Sequence, residues 1–203
     1  MVYTSTQSLN VEEFLVRYGD NPRYELVDGE LIDMEPTGPH ELVSGKISTR
    51  LGHEIDRLDL PWFVPKSCML RPFDTIATTR RPDVIVLDEM ALLEEPFWAS
   101  EPVITRSRSV KLVVEVVSTN WENDYARKVE EYALCGIPEY WIVDFRGLGG
   151  VIYIGRPKQP TITVCTLINE DYHQRQFRLT DEIVSNLFPE LHVTLQDLMP
   201  RSF

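Results

Sequence analysis

The stretch KLVVEVVSTNWENDYARKVEEYALCGIPEYWIVD, Lys111 to Asp144, decides how this chain folds. Near-continuous valine in KLVVEVV suits a central strand covered on both faces. Thr119 and Glu122 have the spacing of a capping box, which predicts a helix opening there and stopping at Gly136 about fifteen residues later. YWIVD then reads as a second short apolar strand. On the helix, Trp121, Tyr125, Val129 and Tyr132 recur at helical spacing and form its apolar stripe.

Two charged residues interrupt this apolar pattern. Along the strand, Val113, Glu115 and Val117 share one face, opposite Leu112, Val114 and Val116. A carboxylate is rarely buried without a partner, because losing its hydration either raises its pKa or demands a cation. An outer-strand glutamate facing solvent or paired with an arginine is the ordinary alternative, and four flanking valines weaken it without removing it. Lys128 lies about 60° from Tyr125, at the border of the helical stripe, from where its ammonium can reach toward the end of the Glu115 strand. Asp124, four residues earlier, could instead pair with it on the helix surface, or hold it in position within a site.

Upstream, RRPDVIVLD places Asp83 near the start of another strand, since Pro82 is tolerated at a strand edge. An aspartate closing the turn before a strand is equally common. Asn10 and Glu13 carry cap chemistry for the helix VEEFLVRY. YELVDGELIDM is a hairpin with Asp28-Gly29 at its turn. Gly38-Pro39 opens a long helix on which His40, Val43, Ile47, Leu51, Ile55 and Leu58 make one stripe, ending at Leu60-Pro61. WFVPKSCML reads as a strand and residues 91–108 as an excursion between core strands. Downstream, ITVCTLI and QRQFRLT extend an antiparallel end of the sheet, and IVSNLFPELHVTLQDL packs against the body.

The 203 residues, 43% hydrophobic, are enough for a single domain. Lys plus Arg number 20 against 32 Asp plus Glu, a formal charge of −12, so the average surface repels polyanions. That counts against tight non-specific DNA binding by the bulk surface. Lys66, Arg71, Arg80, Arg81, Arg106, Arg108 and Lys111 form a loose basic belt in the sequence. Cys68, Cys135 and Cys165 lack paired spacing, which suggests neither a disulfide framework nor a zinc knuckle and fits a reducing, cytoplasmic setting. No apolar run reaches the roughly 20 residues that span a bilayer, and no hydrophobic leader opens the chain.

Two carboxylates from neighbouring strands with a lysine beside them have the composition of a hard-metal site. Mg²⁺ or Mn²⁺ takes carboxylate, carbonyl and water oxygens, and the Val116 carbonyl directly follows Glu115. Phosphodiester hydrolysis is the reaction that best uses an ion with an adjacent ammonium.

At Pro82-Asp83, Glu115 and Lys128, and over YELVDGELIDM, the His40 helix, VVEVVS and DYARKVEEYALCGIPEYWIVD, the sequence resembles a widespread bacterial family. That family, expanded in cyanobacteria, was once called domain of unknown function 820. Its members are described as restriction endonucleases and assigned to the PD-(D/E)XK nuclease superfamily. The resemblance implies an α/β fold with a restriction-endonuclease-like core over about 22–168, a mixed central sheet flanked by helices, and extra N- and C-terminal hairpins. It also implies a divalent-metal-dependent DNA endonuclease, active as a homodimer, with Asp83, Glu115 and Val116 as metal ligands and Mg²⁺ or Mn²⁺ as cofactor. The superfamily's usual lysine, two residues after the acidic residue, is Val117 here, and the resemblance assigns its work to Lys128. Glu25, His40, Asp124 and Tyr132 are supporting candidates, with Glu54 as a helical glutamate of lower rank. Tyr125, Tyr140 and Trp141 read as core. The alternatives are an inactive nucleic-acid- or protein-binding descendant of the fold, and an ordinary α/β protein with a structural Glu115–Lys128 pair.

Overall fold

The computed structural model describes residues 8–73 and 76–201. In chain order the elements are α1 (Val11–Tyr18), β1 (Tyr24–Val27), β2 (Glu30–Asp33), α2 (Gly38–Arg57), β3 (Trp62–Phe63), β4 (Met69–Leu70), β5 (Val84–Asp88), α3 (Glu89–Leu92), β6 (Val103–Ile104) and β7 (Val110–Val116). A π-helical turn, Asn123–Arg127, then runs into α4 (Lys128–Leu134), followed by β8 (Glu139–Asp144), α5 (Val151–Ile154), β9 (Thr161–Ile168), β10 (Asp171–Phe177) and α6 (Leu195–Leu198).

Six strands form a mixed sheet in the order β10-β9-β8-β7-β5-β3. Only β7 and β8 pair in parallel within it, because the helical connection between them returns the chain in its original direction. β7 is therefore central, as its valines require, and each of its faces is covered. Leu112, Val114 and Val116 pack with Val43, Ile47, Leu51 and Ile55 of α2. Val113 and Val117 pack with Tyr125, Tyr132 and Tyr140 on the opposite side. Burying each large apolar side chain of these layers contributes about 1.5–3 kcal/mol.

The short-range signals become local structure directly. The Asn10/Glu13 capping box closes α1, with Glu13 N donating to Asn10 Oδ1 at 2.8 Å. β1 and β2 pair around Asp28 and Gly29, whose φ values of 51° and 81° give the left-handed turn that right-twisted arms need. α2 runs 20 residues from Gly38, with Pro39 in its first turn. β9 and β10 form the second hairpin and extend the sheet.

Other expectations need correction. The Thr119/Glu122 box does not form: among the described residues no hydrogen bond joins the two, and the π turn that follows Glu122 has no side-chain cap. WFVPKSCML divides into two strands in different sheets, β3 on the main sheet and β4 paired with β6.

The C-terminal residues Ile183, Phe188, Leu191, Val193, Leu195 and Leu198 complete the core on the α2 side. Glu139 holds this segment in place, accepting from Ser185 Oγ at 2.6 Å and Asn186 N at 2.9 Å. Among the described residues no helix is long and apolar enough to cross a membrane.

Candidate functional site

Asp83 stands just before β5, beside the end of β7, and its Oδ2 accepts from the Val116 amide at 2.6 Å. His40, on the first turn of α2, reaches the same point. Its Nε2 lies 2.9 Å from the Val116 carbonyl and 3.3 Å from Asp83 Oδ2. Both neighbours are acceptors, so Nε2 carries the proton. Burial opposes protonation of the ring, but Asp83 and the Val116 carbonyl raise its pKa on balance. His40 thus stands at the centre of the cluster, above the supporting rank that sequence gave it.

Glu115 points from the other face of β7 toward α4 and is 2% exposed. Tyr132 Oη donates to its Oε1 at 2.7 Å, and Lys128 Nζ lies 3.1 Å from its Oε2. The same ammonium donates to Asp124 Oδ1 at 3.0 Å, so the two partners that sequence offered for Lys128 are both real. The π turn makes this closure: Lys128 N bonds Asn123 O, one residue further than in an α-helix, and Tyr140 Oη donates to the Asp124 carbonyl at 3.0 Å. Lys128 is consequently buried rather than at the border of the stripe.

Two carboxyls meet one ammonium here, and the electrostatics follow. Burial pushes Glu115 up to about 8 against the pull of Lys128, with Asp83 and Asp124 adding to the rise. Burial raises Asp124 as well. Burial also works against the Lys128 charge, but Asp124 and Glu115 outweigh it and hold the ammonium protonated. Both carboxyls are thus shifted toward their protonated forms, and Lys128 between them keeps its charge.

Glu25 belongs to a neighbouring network. Arg80 grips Glu131 through Nε and Nη2, both at 2.8 Å, and donates to Glu25 Oε1 from Nη1 at 3.0 Å. Arg127 extends the chain of charges, contacting Glu131 at 2.6 Å and Asp28 at 2.8 Å. Arg80 is 1% exposed and Glu131 7%. Sequence reading missed Glu131 and counted Arg80 only as one member of a loose basic belt. The available signal was position: Glu131 is one turn past Lys128, and Arg80 is three residues before Asp83. Glu54 lies elsewhere, paired with Arg57 at 2.8 Å. Tyr125, Tyr140 and Trp141 are core residues, each at most 3% exposed.

The donors decide whether this cluster suits a divalent cation. Asp83, Glu115 and the Val116 carbonyl offer hard oxygens. Each is already engaged, Asp83 by the Val116 amide and His40, the carbonyl by His40, and Glu115 by Lys128 and Tyr132. Among the described residues no group of three or more His, Cys, Asp or Glu is gathered to hold an ion. As these side chains stand, they do not form a ready ligand set.

The mixed sheet, with its acidic residue at the β5 start, its glutamate on β7 and its helix-borne lysine, defines a PD-(D/E)XK-like member of the nuclease superfamily. The chain belongs to the Uma2 family, described as "Putative restriction endonuclease", whose sequence pattern matches residues 11–196. Among solved structures it is similar to one described as "a putative nuclease belonging to DUF820 from Anabaena variabilis ATCC 29413". The TM-score is 0.67 at 15% identity, over 94% of this chain and 97% of that one. At that identity the likeness is one of fold. No curated protein matches the chain.

Proposed function

We propose that this chain is a nucleic-acid-binding descendant of the nuclease fold. The observation that carries this reading is the commitment of both Glu115 oxygens, to Lys128 and Tyr132, in a pocket 2–3% exposed. A buried carboxyl so engaged is held as part of the core and is poorly placed to take an ion.

Divalent-metal-dependent hydrolysis of DNA phosphodiester bonds is the second reading. It is favoured by a different observation, the meeting of Asp83, His40 and the Val116 carbonyl at one partly open point, where the Asp83 side chain is 21% exposed. In that reading Asp83, Glu115 and the Val116 carbonyl would hold Mg²⁺ or Mn²⁺, which supplies charge to offset the phosphate. Lys128, Asp124 and Tyr132 would fix the Glu115 carboxylate, and Glu25 would act only through Arg80. A homodimer, placing two sites at two strands, goes with the hydrolytic reading.

One experiment separates the two. The protein is incubated with single-stranded, double-stranded and branched DNA in Mg²⁺ or Mn²⁺, and binding and cleavage are both scored, with Asp83→Ala and Lys128→Ala alongside. Binding without cleavage is expected. Metal-dependent cleavage abolished by both substitutions would establish the hydrolytic reading instead, and absence of both binding and cleavage would remove both readings.

A further inference from the structure

Most of the basic belt that the sequence displays is committed to partners within the chain. Arg80 is buried in ion pairs, and Arg81 donates to the carbonyls of Tyr24 and Gly19 at 2.7 and 2.6 Å. Arg106 and Arg108 meet Glu94, and Lys111 meets Asp88 at 2.9 Å. A second row of basic residues lies on a helix. On α2, Lys46, Arg50, His53 and Arg57 follow one another at steps of four, three and four residues, which places them within about 60° of one face and about 5–6 Å apart along the axis.

This face forms one wall of a groove of about 1100 Å³, whose other wall is the C-terminal segment. Arg50, His53 and Arg201 are exposed in it, with Leu42 and Leu179 providing apolar surface. Lys46 joins the walls, donating to the carbonyls of Asp197 and Met199. Two acidic residues also line the groove. The Asp197 carboxylate is engaged in capping α6 at Thr194, while Glu41 is exposed. Arg57, beyond the groove, is paired with Glu54 and Glu190. His40 lies on the first turn of the same helix, so the groove leads away from the candidate site.

We propose that this groove binds a single strand of nucleic acid, with Arg50, His53 and Arg201 on successive phosphates and the apolar residues against bases. Charge complementarity carries the choice of partner. In a chain of net charge −12, the exposed guanidinium groups of Arg50 and Arg201 on opposite walls of one groove fit a polyanion, and the apolar surface suits unstacked bases. The inference rests on the reading of the chain as a nucleic-acid-directed protein.

The test is fluorescence anisotropy with a labelled 20-nucleotide single strand and the matching duplex, over a series of salt concentrations. Arg50→Gln/Arg201→Gln should weaken single-strand binding about tenfold at low salt. Losing two phosphate contacts should lower the slope of log affinity against log salt by about 1.4. Arg50→Lys/Arg201→Lys should restore binding. Chemical-shift mapping on the native chain gives a measurement independent of any variant's folding, with the oligonucleotide expected to move the amides of 46–53. Binding and slope unchanged in the Gln variant, shifts confined to other faces, preference for duplex, or equal competition by polyglutamate would each overturn the groove while leaving nucleic-acid binding standing. Failure of the native protein to bind any nucleic acid would overturn both.

Discussion

Glu115 concentrates the physical tension of this molecule in one side chain. Its ordinary carboxylate pKa of 4.5 becomes about 8 in the fold, because burial costs the charged form more than Lys128 returns. The folded state therefore keeps a proton that the unfolded chain releases. This contribution to stability is fully present below about pH 4.5 and is lost as pH rises through about 8. In the native protein the urea midpoint should fall across that window, by at most about 1.4 kcal/mol of stability per pH unit. Glu115→Gln should flatten the slope; an equal slope in that variant would place the proton elsewhere. The anomaly was legible in the sequence, since a glutamate among four valines needs a partner. Lys128 was legible as a partner too, but the Tyr132 bond to Glu115 was not, because that hydroxyl reaches it only once α4 lies across the β7 face.

Between elements, Arg80 couples three parts of the chain. It lies three residues before Asp83, grips Glu131 on the helix that carries Lys128 and Tyr132, and holds Glu25 of the N-terminal hairpin. Arg80→Met leaves Glu25 without its cation and Glu131 with Arg127 alone. Removing one partner from a buried ion network costs about 3–5 kcal/mol. Urea unfolding should show a loss of this order, and amide exchange in β1 and β2 should quicken. Exchange restricted to its native rate there would mean that the backbone pairing of Leu26 with Thr79 and Gly29 with Ala77, together with the Arg127–Asp28 pair, suffices to hold the hairpin. The Asn10/Glu13 cap, the Asp28-Gly29 turn and the α2 stripe were readable because each is set by residues a few positions apart. The π turn was not, because its residues have ordinary helical composition and its wider winding is stabilised by packing, including the Tyr140 bond to the Asp124 carbonyl.

At the scale of the whole molecule, the C-terminal segment closes the core. A chain ending after Glu182 would lose six buried apolar side chains from the α2 side of the sheet. Each is worth about 1.5–3 kcal/mol, and the sum rivals the usual net stability of a domain. The truncated chain should bind hydrophobic dye and lose its cooperative thermal transition by circular dichroism; a sharp native-like melt would show that these residues are peripheral. The sequence alone determined the order and type of the principal elements, the central place of KLVVEVV and the unusual status of Glu115, because periodicity and local hydrogen bonding act along the chain. Only tertiary structure decided which charges are buried and which face solvent. Arg80 went inside and Arg50 remained outside although both are arginines, since burial of a charge depends on partners that come from distant parts of the chain.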